Sequence, residues 1–134
     1  MGPSTTSLFV YGTLRRGSSV AMAERLRRES IFVGEAEVAG RLFDIGSYPG
    51  MVVTANGSRV RGEIYRVEAD RWPEFVKVLD DYENCGEDDP QPAEYHRQVV
   101  EAQLDGGEQM LVWAYLFNRP TAGFREISSG EWQK

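Results

Sequence analysis

The sequence predicts an α+β domain in which a curved or closed β-sheet carries helices on its outer surface. Segments with strand character outnumber helical segments, and the helical segments are interspersed between them. The chain has 134 residues with 41% hydrophobic side chains, a size and composition typical of one domain with a buried core. No repeat and no long linker divides the chain, so residues 1–134 are predicted to form a single domain.

The chain begins with a strand followed by a helix. Residues 7–11 are mostly apolar and predict a short buried strand, which Gly12 ends. Either Ser18 or Ser19 is suited to cap a helix that runs to about Arg28. The apolar side chains of this helix fall roughly on one face, formed by Val20, Ala23 and Leu26.

Three strands are predicted next. Residues 32–45 are rich in β-branched and aromatic side chains but contain two glycines, which predicts one bent strand or two. The turn residues 45–50 lead to a strand at 51–54. A tight turn at 55–58 then leads to a strand at 60–67.

The second helix is predicted from Asp70, as its cap, to about Glu83, with Pro73 tolerated in its first turn. Residues 84–94 (NCGEDDPQPAE) form an acidic loop without periodicity. This loop separates the helix from the last strands of the sheet.

A β-hairpin is the clearest element of the C-terminal part. Its strands cover residues 95–104 and 109–117, and the turn contains Asp-Gly-Gly at 105–107. Residues 118–134 are predicted to be an irregular tail.

The second predicted helix carries an apolar stripe with helical spacing, formed by Trp72, Val76 and Leu79. The next position on this stripe is Glu83. Asp81 falls on the opposite side and Asp80 on the flank, so only one of the three carboxylates in LDDYE is expected to point toward the core.

Partial burial and the negative end of the helix dipole are both expected to raise the pKa of Glu83. A carboxylate with a raised pKa can accept and return a proton near neutral pH, so Glu83 is a candidate general acid and base. The alternative is that the helix ends slightly earlier and Glu83 is a solvated residue.

The loop after the first strand has two interpretations. Gly12 allows close approach of the backbone to a ligand, and successive N–H groups there, with the hydroxyl of Thr13, suit an anion. The alternative is an ordinary turn after a strand. Tyr115 has the same ambiguity, since a core tyrosine and a ligand-contacting hydroxyl both fit its place on the hairpin.

The composition disfavours several classes of function. A net charge of −6 makes nucleic acid a poor candidate partner. One cysteine, Cys85, and one histidine, His96, provide no cysteine or histidine metal cluster, and we expect no metal and no cofactor. No apolar run approaches the roughly 20 residues of a membrane span. With no basic, apolar leader at the N-terminus, a cytoplasmic protein without membrane association is expected.

Four segments in this order resemble the gamma-glutamylcyclotransferase superfamily, and within it the gamma-glutamylamine cyclotransferase branch. They are FVYGTLRRG, VLDDYENC, YHRQVV and ISSGEW. The resemblance spans almost the whole chain and implies a small mixed β-barrel with flanking helices and a cavity at one end. It also implies that Glu83 is the catalytic acid and base. The implied substrate-binding residues are Tyr11, Gly12, Thr13, Leu14 and, less directly, Tyr115.

The implied substrate is a small gamma-glutamyl amine or peptide, whose α-amine attacks its own side-chain carbonyl and releases 5-oxoproline. Glu83 would move the proton, and backbone N–H groups would stabilise the oxyanion. This is cofactor-independent chemistry. The alternative is a non-catalytic module of the same fold that binds a small metabolite or a partner. The longer acidic segment from Glu87 to Glu94 departs from the family pattern next to the expected site.

Overall fold

The computed structural model describes residues 5–12, 14, 21–46, 48–55, 57–83 and 93–132. Along these residues the elements are β1 (Ser7–Val10), α1 (Ala21–Glu29), β2 (Ile31–Asp44), β3 (Pro49–Val53), β4 (Arg59–Arg66), α2 (Trp72–Tyr82), β5 (Tyr95–Leu104), β6 (Gln109–Phe117) and β7 (Arg125–Glu126). The predicted hairpin agrees with β5 and β6 at both ends of each strand. The predicted tail contains the short strand β7, which pairs with β2.

Five strands close into a barrel. Their order is β2-β4-β1-β6-β5, and β5 pairs with β2 to complete the circle. β1 and β6 run parallel, and the other neighbours are antiparallel. The predicted α+β fold with a small mixed β-barrel and flanking helices is therefore confirmed.

β2 is long enough to take part in two layers. Its first half pairs with β4 and β5 in the barrel, while residues 40–44 extend beyond the barrel and pair with β3 and β7. An irregularity between Phe32 and Gly34 shifts the register against β4. The segment is thus one bent strand, the first of the two predicted possibilities.

The barrel interior is filled by alternate side chains of all five strands. Larger residues such as Phe9 and Ile64 share this space with three fully buried alanines, Ala36, Ala102 and Ala114. Because β-strand side chains alternate, the other face of β1 and β6 points outward. That outer face makes a second core with the helices.

The second core joins both helices to the outside of the barrel. Ala23 and Leu26 of α1, together with Phe75 and Leu79 of α2, pack in one cluster with outward residues of β1, β4, β5 and β6. Ala23 and Leu26 are fully buried, as the sequence predicted, while Val20 and both candidate caps lie outside the described residues. Neither of the two described helices has the length and apolar character to cross a membrane.

The predicted cap of α2 is wrong. The helix starts one residue later than Asp70 implies, with Arg71 at the N-cap and no side-chain cap hydrogen bond. The N–H groups of Arg71 and Trp72 instead donate to the carbonyl of Glu68, so a backbone turn satisfies these two groups at the helix start. Pro73 lies in the first turn, as predicted.

Candidate active site

A cavity of about 380 Å³ opens at one end of the barrel. Its walls come from the end of β1, the start of β3, the end of α2, the start of β5 and the last part of β6. The lining residues are Phe9, Val10, Tyr11, Gly12, Leu14, Tyr48, Pro49, Tyr82, Glu83, Glu94, Tyr95 and Tyr115.

The parallel pairing of β1 with β6 brings two of the predicted site residues to the same end of the barrel. Leu8 is paired with Trp113, so both strands run toward the cavity from this point. Tyr11 follows β1 and Tyr115 lies two residues beyond Trp113. In the antiparallel partner β5, the first residue, Tyr95, reaches the same end.

Glu83 enters the cavity from the last turn of α2. The buried line of the helix runs through Phe75 and Leu79, four residues apart, and the next step of four is Glu83. Val76, which the sequence analysis placed on this line, is only partly buried beside it. Glu83 is the C-cap residue, and its N–H donates to the carbonyl of Leu79 at 2.9 Å. Its side chain is partly buried, whereas Asp81 is exposed.

The environment raises the pKa of Glu83 to about 7. Burial is the largest cause, because it disfavours the ionised form. The negative charges of Glu94 and Asp80 add to the effect. The burial of Glu83 and the direction of the shift in its pKa agree with the prediction from the sequence, whereas the effects of Glu94 and Asp80 were not predicted.

Tyr11 forms part of the cavity wall with its hydroxyl already engaged. The hydroxyl donates to the carbonyl of Tyr115 at 2.7 Å and accepts from the N–H of Met51 at 3.2 Å. Burial, followed by the negative charge of Glu83, raises the pKa of this hydroxyl far above its usual range. Tyr11 is therefore a neutral side chain that ties β1 to β6 and β3.

Gly12 lies against the ring of Pro49, the first residue of β3. A β-carbon at Gly12 would lie 2.8 Å from Cγ and 3.0 Å from Cδ of Pro49, so a side chain here requires movement of the ring. Leu14 is buried and also lines the cavity. Thr13 lies outside the described residues.

Several cavity residues were not identified from the sequence, and three of them, Tyr48, Glu94 and Tyr95, form hydrogen bonds in the cavity wall. The hydroxyl of Tyr48 donates a hydrogen bond to the carboxylate of Glu94, and this bond raises the pKa of Tyr48 to about 12. The hydroxyl of Tyr95 donates to the carbonyl of Pro49 at 2.7 Å. Tyr48 and Glu94 lie in segments that appeared to be a turn and an acidic loop, and only their approach in the folded chain shows that they share a cavity.

Tyr115 contacts the cavity and the helix at the same time. Its hydroxyl donates to Oδ1 of Asp80 at 2.7 Å. Asp80 also accepts from Arg97, whose Nε lies 2.9 Å from Oδ1 and whose Nη2 lies 3.2 Å from Oδ2. Tyr115 is thus a buried tyrosine that also lines the cavity, and contact of its hydroxyl with a ligand stays a prediction.

Five of the six predicted site residues line this one cavity: Tyr11, Gly12, Leu14, Glu83 and Tyr115. Within the described residues, no group of three or more His, Cys, Asp or Glu side chains is arranged to hold a metal ion. His96 is half-buried on β5 and Cys85 lies outside the described residues.

Comparison with known proteins gives consistent results. Residues 8–134 match the family described as gamma-glutamyl cyclotransferase, AIG2-like. A gamma-glutamylcyclotransferase family protein, ytfP, of Citrobacter rodentium is 33% identical over 128 residues, covering 93% of each chain. The gamma-L-glutamyl-butirosin B gamma-glutamyl cyclotransferase of Niallia circulans is 30% identical, covering 96% of this chain and 76% of that one. The solution structure of ytfP from Escherichia coli superposes with a TM-score of 0.61 at 29% identity, covering 94% of this chain and 95% of that one.

Proposed function

The chain belongs to the gamma-glutamyl cyclotransferase, AIG2-like family, and on that premise we propose that it cleaves a gamma-glutamyl amine or peptide and releases 5-oxoproline. One observation carries the proposal: Glu83 points into a cavity of substrate size with a pKa of about 7. The Glu83 carboxyl group is therefore protonated in about half of the protein molecules near neutral pH, which suits a group that first accepts and then donates a proton.

The reaction needs one proton carrier and one oxyanion site. Glu83 takes a proton from the α-ammonium group of the substrate, and the free amine attacks the γ-carbonyl carbon. A new C–N bond closes the five-membered ring while the carbonyl electrons move to oxygen. When the oxyanion collapses, the original C–N bond breaks, and protonated Glu83 gives its proton to the departing amine. The ring nitrogen still carries a second proton, which it releases to the freed carboxylate of Glu83, and the amine takes up this proton and leaves as an ammonium ion. The products are 5-oxoproline and a free amine.

The cavity supplies position and charge stabilisation. A bent substrate places its amine next to its own carbonyl, which replaces a bimolecular step by a unimolecular one. We assign the oxyanion to backbone N–H groups of the loop at Gly12, Thr13 and Leu14, since the hydroxyl of Tyr11 is already engaged. The proposed mechanism is cofactor-independent.

The size of the cavity and its tyrosine walls suit a small substrate. The name of the relative from Niallia circulans contains a gamma-glutamyl compound, gamma-L-glutamyl-butirosin B. This supports a panel of gamma-glutamyl amines as the first substrates to test, with gamma-glutamyl dipeptides beside them.

The proposal is tested by incubating the protein with this panel and measuring 5-oxoproline. We expect release from at least one member, and a fall of about 100-fold or more in kcat/KM for Glu83→Gln, which keeps the shape and removes the base. Asp81→Asn is the matched control, because Asp81 is an exposed neighbour on the same helix, and its activity should equal that of the wild type.

Two results would contradict the proposal. Full activity in Glu83→Gln would remove Glu83 from the mechanism. Binding of panel members without 5-oxoproline release would favour the alternative of a non-catalytic metabolite-binding module.

A further inference from the structure

Behind Glu83, the carboxylate of Asp80 joins the last turns of α2 to the β5–β6 hairpin. Asp80 accepts three hydrogen bonds, two from the guanidinium of Arg97 and one from the hydroxyl of Tyr115. Arg97 and Tyr115 are directly paired across β5 and β6, so both donors come from one register position of the hairpin. Asp80 and Arg97 together form the Asp80–Arg97 pair.

The pair is well protected from solvent and firmly oriented. The side chains of Arg97 and Asp80 are 24% and 20% exposed. The guanidinium carbon lies 4.5 Å from the ring centroid of Trp113, and this ring is fixed by a hydrogen bond from its Nε1 to the carbonyl of Thr5 at 2.8 Å. A guanidinium held between an aromatic face and a carboxylate has little rotational freedom.

Asp80 stands three residues before Glu83, so the two carboxylates are neighbours on the helix surface. Among the described residues, the ionisable groups around Glu83 are two carboxylates and the tyrosines of the cavity: Asp80, Glu94, Tyr11, Tyr48, Tyr82, Tyr95 and Tyr115. Of these groups, Glu94 and Asp80 act on Glu83 through their charges. Arg97 is hydrogen-bonded to the carboxylate that stands next to Glu83 on the helix, whereas the charge of Arg119 acts on Tyr48.

We propose that Asp80 and Arg97 are positioning residues for the reaction, which hold the end of α2 against the hairpin and set the charge that Glu83 meets. The inference rests on the proposed function of Glu83 as proton carrier. Neither residue lines the cavity, so both act through Glu83 and Tyr115.

The charge balance predicts opposite effects for the two partners. Asp80→Asn removes a negative neighbour and leaves Arg97 positive, so the ionised form of Glu83 becomes easier to reach. Arg97→Gln removes the positive charge that is hydrogen-bonded to Asp80, so the ionised form of Glu83 becomes harder to reach. With both substitutions the two effects oppose each other, and the double variant should lie close to the wild type.

The experiment is a pH profile of kcat/KM for the four proteins, joined with an NMR titration of the Glu83 side-chain carboxyl. We expect the acid limb of the wild type to have its midpoint near pH 7. Because the ionised carboxylate is the base, activity falls below that pH. The midpoint should move down by about half a unit or more in Asp80→Asn and up by a similar amount in Arg97→Gln. Asp81→Asn, with the same change of charge on the exposed face, should not move it.

Shifts in opposite directions, with the double variant between them, support the proposal, because a merely structural role would lower activity without moving the midpoint. Absence of a shift in Asp80→Asn, or a shift of the same sign in both single variants, overturns it. Asp80→Asn keeps an acceptor for Tyr115 and decides the question if Arg97→Gln does not fold. The titration needs no turnover, so it separates this inference from a failure of the proposed reaction, which the loss of 5-oxoproline release in the wild type would show.

Discussion

Glu83 is a carboxylate whose ionised form is disfavoured by the fold. Its ordinary pKa is 4.5 and its pKa in the folded chain is about 7. Protonation therefore favours the folded state, and this contribution is fully present below about pH 4.5 and is lost as the pH rises through 7. This shift of the pKa corresponds to about 3 kcal/mol in the free energy of unfolding.

This sign leads to a stability prediction for Glu83→Gln. At about pH 8 the variant should be more stable than the wild type by on the order of 1–3 kcal/mol, because glutamine carries no charge into the cavity. At about pH 4 the two proteins should differ little. Urea unfolding at both pH values measures the difference. Equal effects at both pH values would mean that the charge of Glu83 costs the fold nothing.

At the scale of elements, the end of β1 meets the start of β3 through Gly12 and Pro49. From the sequence, Gly12 either allows the backbone to approach a ligand closely or belongs to an ordinary turn. The structure shows a third reason for a glycine at this position, since a β-carbon at Gly12 would lie 2.8 Å from the ring of Pro49. The same proline offers its carbonyl to the hydroxyl of Tyr95, so its displacement would disturb the cavity wall.

Gly12→Ala should therefore lower both stability and activity, with a loss of about 1–3 kcal/mol in the free energy of unfolding. Removing most of the ring in the double variant Gly12→Ala/Pro49→Ala should recover much of the stability. Gly106→Ala is the matched control, because nothing lies within 4 Å of a β-carbon there. Thermal unfolding and 5-oxoproline release measure both effects. If Gly12→Ala loses activity at unchanged stability, approach of a ligand is the main demand on this glycine.

At the scale of the whole molecule, the barrel depends on the pairing of β5 with β2. Ala102 of β5 is fully buried and faces Val38 of β2 across this pairing. The three buried alanines of the interior leave room for the larger side chains of β1 and β4. Ala102 belongs to this interior cluster, so extra volume there must displace neighbouring side chains.

We expect Ala102→Leu to reduce the free energy of unfolding by about 1–3 kcal/mol and to increase hydrogen exchange along the β2–β5 pairing. Gln103→Leu is the matched control, since Gln103 is the exposed neighbour on β5 and also pairs with β2. Denaturant unfolding and native-state hydrogen exchange provide the measurements. An unchanged stability of Ala102→Leu would show that the interior tolerates more volume than its packing indicates.

Local patterns in the sequence determined the strands and the hairpin, and they placed Leu79 but not Phe75 on the buried side of α2. Alternating apolar residues and an Asp-Gly-Gly turn were sufficient for β5 and β6, because hairpin register depends on neighbouring residues. The step of four from Leu79 was sufficient to direct Glu83 toward the core. The capping error at Asp70 has the opposite origin, since the carbonyl of Glu68, and no side chain, satisfied the first N–H groups of the helix.

Only the tertiary structure decided how the barrel closes and which residues surround Glu83. Pairing of β2 with β5, and of β1 with β6, joins residues far apart in the chain, and no local pattern encodes their register. These pairings bring Tyr48, Glu94 and Tyr95 to the cavity and Arg97 to Asp80. The sequence by itself thus determined which carboxylate of LDDYE points toward the core and in which direction its pKa moves. The tertiary contacts decided how far the pKa moves, because the burial of Glu83 and the approach of Glu94 occur only in the folded chain, where the charge of Asp80 adds to their effect.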